Sequence, residues 1–252
     1  MDYHIKLPIW EQIFSILQTI SRVRVGSEDR LRRFVEAIGH VVTTGCQWRR
    51  LPAIYGCWRA IHRRFKRWSD QGIWHYLFER SQSAPDPQQV MVDATIIRAH
   101  ACRARYKKNT HSKQSVGRSY GGLSTKIHAC VDAIGNPLKL ILTPGQEHES
   151  LQGEALLEGI HGPSLCVLGD KGYDCDRFIA YLKQKNMEPV IPPRRNRKIL
   201  RTFDKEVYKE RHLVECFFSK IKQFRRISSR YEKIGAVYLS FLHFVCALIW
   251  MR

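Results

Sequence analysis

Apolar residues recur at helical spacing before residue 80 and in β-branched runs after residue 90, so one architecture cannot serve the whole chain. In the first part, Leu31, Phe34, Val35, Ile38, Val41 and Val42 keep a 3.6-residue period. Ser27 followed by Glu28 and Asp29 suits the start of that helix, and Gly45 suits its end. A second helix over about 57–69 places Trp58, Ile61, Phe65 and Trp68 on one face. Arg59, His62, Arg63, Lys66 and Arg67 fall on the rest of its surface. The aromatic stripe reads as core and the basic positions as a surface for an anionic partner. The Ser-, Pro- and Gln-rich stretch SQSAPDPQQ at 81–89 is a linker. These features predict a small all-α domain at 1–80 and a second domain at 90–252.

Beyond the linker, VMVDATII (90–97), LSTKIHACVDA (123–133) and NPLKLILTP (136–144) read as strands, the last two as a hairpin through Ile134, Gly135 and Asn136. A helix around 150–160 then leads to the buried strand LCVLGD (165–170). A helix over about 174–185, a short strand EPVIP (188–192), a long helix from about 204 to 226 and an apolar terminal helix complete the chain. Three strands with antiparallel connections followed by alternating helix and strand is the order of a ribonuclease H-like core. The expected class is therefore α/β, a mixed sheet flanked by helices.

Lysine and arginine total 42 against 23 acidic residues, a net charge of +19. A field of that sign attracts polyanions, and nucleic acid is the favoured partner over an anionic membrane surface. The final apolar run AVYLSFLHFVCALIWM is short for a bilayer span and carries His243, so it is expected to be a buried helix. The eight cysteines include no CxxC pair and the N-terminus lacks a signal peptide, which suggests a cytoplasmic protein with reduced thiols. His100, Cys102 and His111 do not have the spacing of a standard zinc finger. With no Walker motif, no nucleotide cofactor is expected.

Two carboxylates stand out. Asp93 lies inside an apolar strand, where burial demands a partner: a metal ion or a basic side chain. Asp170 ends a buried strand and precedes Lys171-Gly172-Tyr173, at the sheet edge where α/β proteins bind ligands, although a turn-capping aspartate is an equally good reading. A third acid is more sharply placed. At about 100° per residue, Tyr208, Arg211, Glu215 and Lys222 fall within an arc of about 60° on one helix face. Glu215 is the only acid between Arg211 and Glu232.

The spacing Tyr208-x2-Arg211-x3-Glu215-x6-Lys222 resembles the signature of the insertion-sequence-four and insertion-sequence-five transposases, whose DDE catalytic core has a ribonuclease H-like fold. TTGCQWRRLP (43–52) with WRAIHRRFKRW (58–68), VDATIIRAH (92–100), GRSYGGLSTKIHACVDAIGNPL (117–138), LTPGQEH (142–148) and GDKGYD (169–174) resemble the insertion-sequence-five branch in the same order. One departure is Glu149, where the family is expected to have aspartate; a cap on a loop helix is an adequate alternative role.

The resemblance implies that Asp93, Asp170 and Glu215 form a catalytic, metal-binding triad for two Mg²⁺ or Mn²⁺ ions. It further implies hydrolysis at the ends of a bacterial insertion sequence, then attack of the freed 3′-hydroxyl on target DNA. Tyr208, Arg211 and Lys222 become phosphate contacts on the double-stranded DNA. Two basic tracts, 98–122 and 193–201 with Arg194 and Arg195, are expected to follow DNA, as are Arg63, Arg64, Lys66 and Arg67. Only 45 positions separate Asp170 from Glu215 (215 − 170), which leaves no room for a large insertion before the glutamate. A dimer or higher multimer is expected because two ends must be paired, and the protein should be associated with the nucleoid. Two alternatives share these features: a ribonuclease H-like nuclease or resolvase without strand transfer, and a catalytically inert DNA-binding regulator descended from a transposase.

Overall fold

The β-branched runs after the linker do pair into one sheet. In chain order its strands are β1 (Gln89–Arg98), β2 (Gly117–Ser119), β3 (Gly122–Asp132), β4 (Pro137–Pro144), β5 (Cys166–Gly169) and β6 (Glu188–Val190). The helices are α1 (Leu7–Gln18), α2 (Glu28–Thr44), α3 (Trp58–Asp70), α4 (Ile73–Ser81), α5 (Gly153–Leu157), α6 (Asp176–Gln184), α7 (Lys205–Lys209), α8 (His212–Lys222), α9 (Arg225–Ser228) and α10 (Gly235–Trp250). The computed structural model describes residues 5–24, 26–83, 88–100, 115–162, 164–197 and 200–252. Contacts divide the described residues into two units, one drawn from residues 5–83, 99–100 and 221–252 and the other from 88–98 and 115–220. Residues 221–252, expected to continue the second domain, thus group with the N-terminal helices.

In the sheet unit the strand order is β2-β3-β1-β5-β6, with β4 on β3. β1 pairs antiparallel with β3 and parallel with β5, and β5 pairs parallel with β6. This is the mixed α/β sheet, ribonuclease H-like in arrangement, that the order of elements predicts. Parallel strands need crossovers, and α5 and α6 supply helical residues for them. The β3–β4 hairpin turns on Asp132, whose Oδ1 accepts from the Ile134 and Asn136 N–H groups at 3.1 and 2.8 Å. Val90, Val92, Val167, Leu156, Phe178 and Leu182 bury one apolar cluster of the unit. Each large apolar side chain so buried contributes about 1.5–3 kcal/mol.

The helical unit has its own aromatic core. Phe65 on α3 stacks on Phe241 of α10 with ring centroids 4.3 Å apart, and Trp74 of α4 meets Phe244 edge-on at 5.4 Å. The terminal helix is therefore buried, as its composition predicts. Burial, with His75 adding to it, drives the His243 pKa down to about 3, so the ring is neutral at ordinary pH. No helix among the described residues is long and apolar enough to cross a membrane. Gly45 ends α2 with φ 67°, and its N–H closes on the Val41 carbonyl. A side chain there would be strained and would meet Arg225 at 2.9 Å.

Three details differ from the sequence reading. Helices α1 and α4 and strand β2 were not foreseen; β2 falls inside the basic tract 98–122, most of which lies outside the described residues, as do Cys102 and His111. The helix expected at 150–160 is a 3-10 turn at Glu149–Gln152 followed by the single-turn α5. The long helix expected over 204–226 is divided into α7, α8 and α9. Between α7 and α8 the Arg211 and Leu213 N–H groups bond three residues back, to Tyr208 and Glu210. Such bonds wind the backbone at about 3.0 rather than 3.6 residues per turn, so a constant 100° step does not hold across the junction.

Candidate active site

Asp93 and Asp170 are brought level by the register of two parallel strands. Val92 on β1 pairs with Gly169 on β5, and each carboxylate is the next residue along. Asp93 is half-buried, with Oδ1 accepting the Ala94 N–H at 2.7 Å and Oδ2 accepting Arg211 Nη1 at 2.9 Å. Asp170 begins the 3-10 turn Lys171–Tyr173 and accepts the Gly172 N–H at 2.8 Å. The salt-bridge and turn-cap roles considered for these two residues are thus both present. Glu215 extends from α8 with 58 % of its side chain exposed, and the second arm of Arg211 bonds its Oε1. Arg211 therefore joins Asp93 to Glu215, and Tyr208 of α7 lies within electrostatic reach of Arg211.

The electrostatics follow from this crowding. Burial raises the Asp93 pKa from 3.8 to about 6, and Asp170 and Glu149 push the same way. The Ala94 N–H and Arg211 oppose the rise. Burial works against the Arg211 charge, but Asp93, Tyr208 and Glu215 hold its pKa above the ordinary value. Folded Asp93 thus holds its proton more tightly than the unfolded chain does. The contribution of Asp93 to stability is fullest below 3.8 and is lost as pH rises through about 6. The urea midpoint of metal-free protein should fall across that window, and Asp93→Asn should flatten the fall; an unchanged slope in the variant would assign the dependence to other groups.

Four neighbours were not picked out as site residues from sequence. Glu149 is not the cap of its turn; His148 is, its side chain accepting from Ser150. Glu149 instead pairs with Lys126 of β3 at 3.1 Å, and the Lys126 side chain is only 9 % exposed. A Cβ on Gly172 would lie 2.7 Å from Asp170 Oδ1 and 3.4 Å from Glu149 Oε2, so this glycine admits both acids to one corner. Tyr173 is buried beside them, and its hydroxyl has no hydrogen-bond partner among the described residues. Burial, then Asp93, Glu149 and Asp170, raise its pKa well above 10.0. The GDKGYD run signalled Tyr173 and the LTPGQEH run ended one residue short of Glu149, but nothing local paired Glu149 with a lysine 23 residues earlier.

Arg194 has contacts within the chain that its sequence context does not signal. Expected to follow DNA, it donates from Nε to the Lys171 carbonyl at 3.0 Å and from Nη2 to the Gly172 carbonyl at 2.8 Å. Its guanidinium holds the turn that carries Asp170. Arg197 and Arg201 of the same basic tract pair with the fully buried carboxylate of Asp174. Arg195 remains exposed. Lys222 is exposed at the end of α8, about two turns beyond Glu215. Arg63, Arg64, Lys66 and Arg67 all lie on α3 in the helical unit, where Lys66 pairs with Asp70 at 2.6 Å. Among the described residues, no group of three or more His, Cys, Asp or Glu side chains is arranged to hold a metal ion.

Comparison with known proteins decides the family. Residues 84–250 match the family model described as "Transposase DDE domain", and residues 8–78 match that of "Putative transposase of IS4/5 family". The chain belongs to the IS4/5-type DDE transposases. Over 132 residues, 52 % of this chain and 100 % of the relative, it is 41 % identical to the "Putative transposase for insertion sequence element IS6501" of Brucella ovis. It is 31 % identical over 135 residues to the corresponding protein for element IS402 of Burkholderia cepacia, covering 50 % of this chain and 62 % of that one. Among solved structures, the piggyBac transposase, in a synaptic complex with hairpin DNA, superposes with a TM-score of 0.57 at 11 % identity. That match covers 98 % of this chain and 72 % of the other, and shows a shared fold.

Proposed function

We propose that this transposase cuts DNA at insertion-sequence ends and joins the freed 3′-hydroxyl to target DNA. The observation that carries the proposal is the level placement of Asp93 on β1 and Asp170 just past the end of the parallel β5, with Arg211 linking Asp93 to Glu215. The three carboxylates are hard oxygen donors of the kind Mg²⁺ or Mn²⁺ accepts. The Arg211 guanidinium is a cation shared by Asp93 and Glu215, and burial, with Asp170 and Glu149 adding to it, raises the Asp93 pKa. Asp93, Asp170 and Glu215 would hold two ions, which supply activation of the attacking oxygen and stabilisation of the leaving one.

The remaining roles belong to the chain. Arg211 can turn its planar fork to a phosphate and pair with it bidentately. Tyr208 braces Arg211, and Lys222 and Arg195 contact the backbone of the DNA. No covalent protein intermediate is required, so Tyr208 does not act as a nucleophile. Arg194 fixes the turn that presents Asp170. The helical segment 1–80, through Arg63, Arg64, Lys66 and Arg67, helps hold double-stranded DNA, and two copies pair two ends.

The test mixes protein, Mg²⁺ or Mn²⁺, a labelled inverted-repeat end and a target plasmid. Joined products are expected. Cutting without joining would favour a nuclease or resolvase, and binding without cutting would favour an inert regulator.

A further inference from the structure

Arg211 belongs to neither of the helices beside it. It falls between α7 and α8, where its N–H bonds the Tyr208 carbonyl at 3.1 Å. Its side chain, 18 % exposed, donates from Nη1 to Asp93 Oδ2 at 2.9 Å and from Nη2 to Glu215 Oε1. One cation thus holds two of the three carboxylates assigned to the ions. Among the described residues, Asp93 and Glu215 form no other ion pair and Asp170 forms none.

Two other cations at this corner are committed elsewhere. Lys126 pairs with Glu149 at 3.1 Å and donates to the Glu147 carbonyl at 2.8 Å, and Arg194 bonds the Lys171 and Gly172 carbonyls. Arg211 has the acids themselves as partners. An oxygen that accepts from a guanidinium offers less charge to a second cation, and cations held on one carboxylate repel at short range. A divalent ion and Arg211 in this pose therefore compete for Asp93 Oδ2 and Glu215 Oε1. A phosphate is an alternative partner for the planar fork, which it takes bidentately.

We infer that Arg211 is the built-in occupant of the cation site, tying Asp93 to Glu215 until a DNA phosphate draws it away and leaves both carboxylates to the ion. Ion and phosphate then bind cooperatively, because both favour the state in which Arg211 is off the carboxylates. The exchange breaks and forms only ion pairs and hydrogen bonds. It rests on the ion and phosphate roles proposed above and adds the coupling between them: without DNA, the corner is capped by its own cation.

The test titrates Mn²⁺ into the full chain by calorimetry, with no DNA present. Arg211→Gln is compared with Arg177→Gln, which removes the same charge from an exposed side chain paired with Glu154, and Asp93→Asn identifies the heat of this site. Arg211→Gln should bind Mn²⁺ about tenfold more tightly than wild type, within the range of ordinary coupling energies, and Arg177→Gln should match wild type. An unchanged or weaker affinity in Arg211→Gln, or an equal gain in Arg177→Gln, would overturn the inference. Arg211→Lys keeps a cation but not the fork and should fall between wild type and Arg211→Gln; it carries the test if circular dichroism shows Arg211→Gln unfolded. A fluorescent duplex of arbitrary sequence supplies a second measurement. At constant ionic strength, Mn²⁺ should strengthen its binding to wild type but not to Arg211→Gln, and equal strengthening in both would count against the coupling. Neither measurement needs cutting. A chain that shows the coupling but never joins DNA loses the transposition reading and keeps the inference, whereas one that joins DNA while Arg211→Gln binds Mn²⁺ as wild type does loses only the inference.

Discussion

Asp93→Asn should lower the rate of strand cleavage by about 10³-fold while DNA binding stays close to wild type. The substitution keeps the shape of the side chain and its acceptor for the Ala94 N–H, and removes one negative oxygen from the corner shared with Asp170. Metal-held charge stabilisation is worth several kcal/mol in such reactions. At about 1.4 kcal/mol per factor of ten, that corresponds to about three decades. Burial is the largest influence on Asp93 and disfavours its charge, so the asparagine variant should melt no lower than wild type near neutral pH. Single-turnover cutting of a labelled end with Mg²⁺ or Mn²⁺ reads the effect. A variant that cuts at the wild-type rate would confine Asp93 to its salt bridge with Arg211.

Arg226→Ala should have the largest effect on stability. Arg226 Nε lies 2.6 Å from Glu232 Oε1, with only 7 % and 4 % of the two side chains exposed. Nη1 donates to the Cys46 carbonyl at 3.1 Å, and the guanidinium lies 5.0 Å from the Tyr231 ring centre. Removing the arginine leaves a buried carboxylate without its counter-charge, which costs about 3–5 kcal/mol. That is a large share of the roughly 5–15 kcal/mol that holds a domain together. The melting temperature should fall by about 6–20 °C. Arg226→Met/Glu232→Gln should recover most of the loss, because the carboxylate charge is removed together with its Arg226 partner. A loss below about 1 kcal/mol would place the pair with hydrated surface ion pairs instead.

Much of the sheet was legible because β-branched runs and their turns are local signals. VMVDATII, LSTKIHACVDA, NPLKLILTP and LCVLGD each form the strand their composition predicts. The α7–α8 junction was not legible, because a face computed at constant pitch cannot register a local tightening of the backbone. Arg194 shows a second limit. A basic tract looks the same in sequence whether its cations face solvent or, like Arg194, Arg197 and Arg201, bond carbonyls and a buried aspartate.

By itself the sequence determined the family, the mixed sheet and helical segment, and the residue types able to perform phosphodiester chemistry, because these depend on periodicity, spacing and local composition. Only the tertiary structure decided which of those residues meet. The β1–β5 register sets Asp93 beside Asp170, and Arg211 reaches across 118 positions of chain to bond Asp93. Lys126 and Glu149 join the same corner from two other segments. Such contacts arise from strand pairing and burial between distant segments, and no local pattern in the chain encodes their distances.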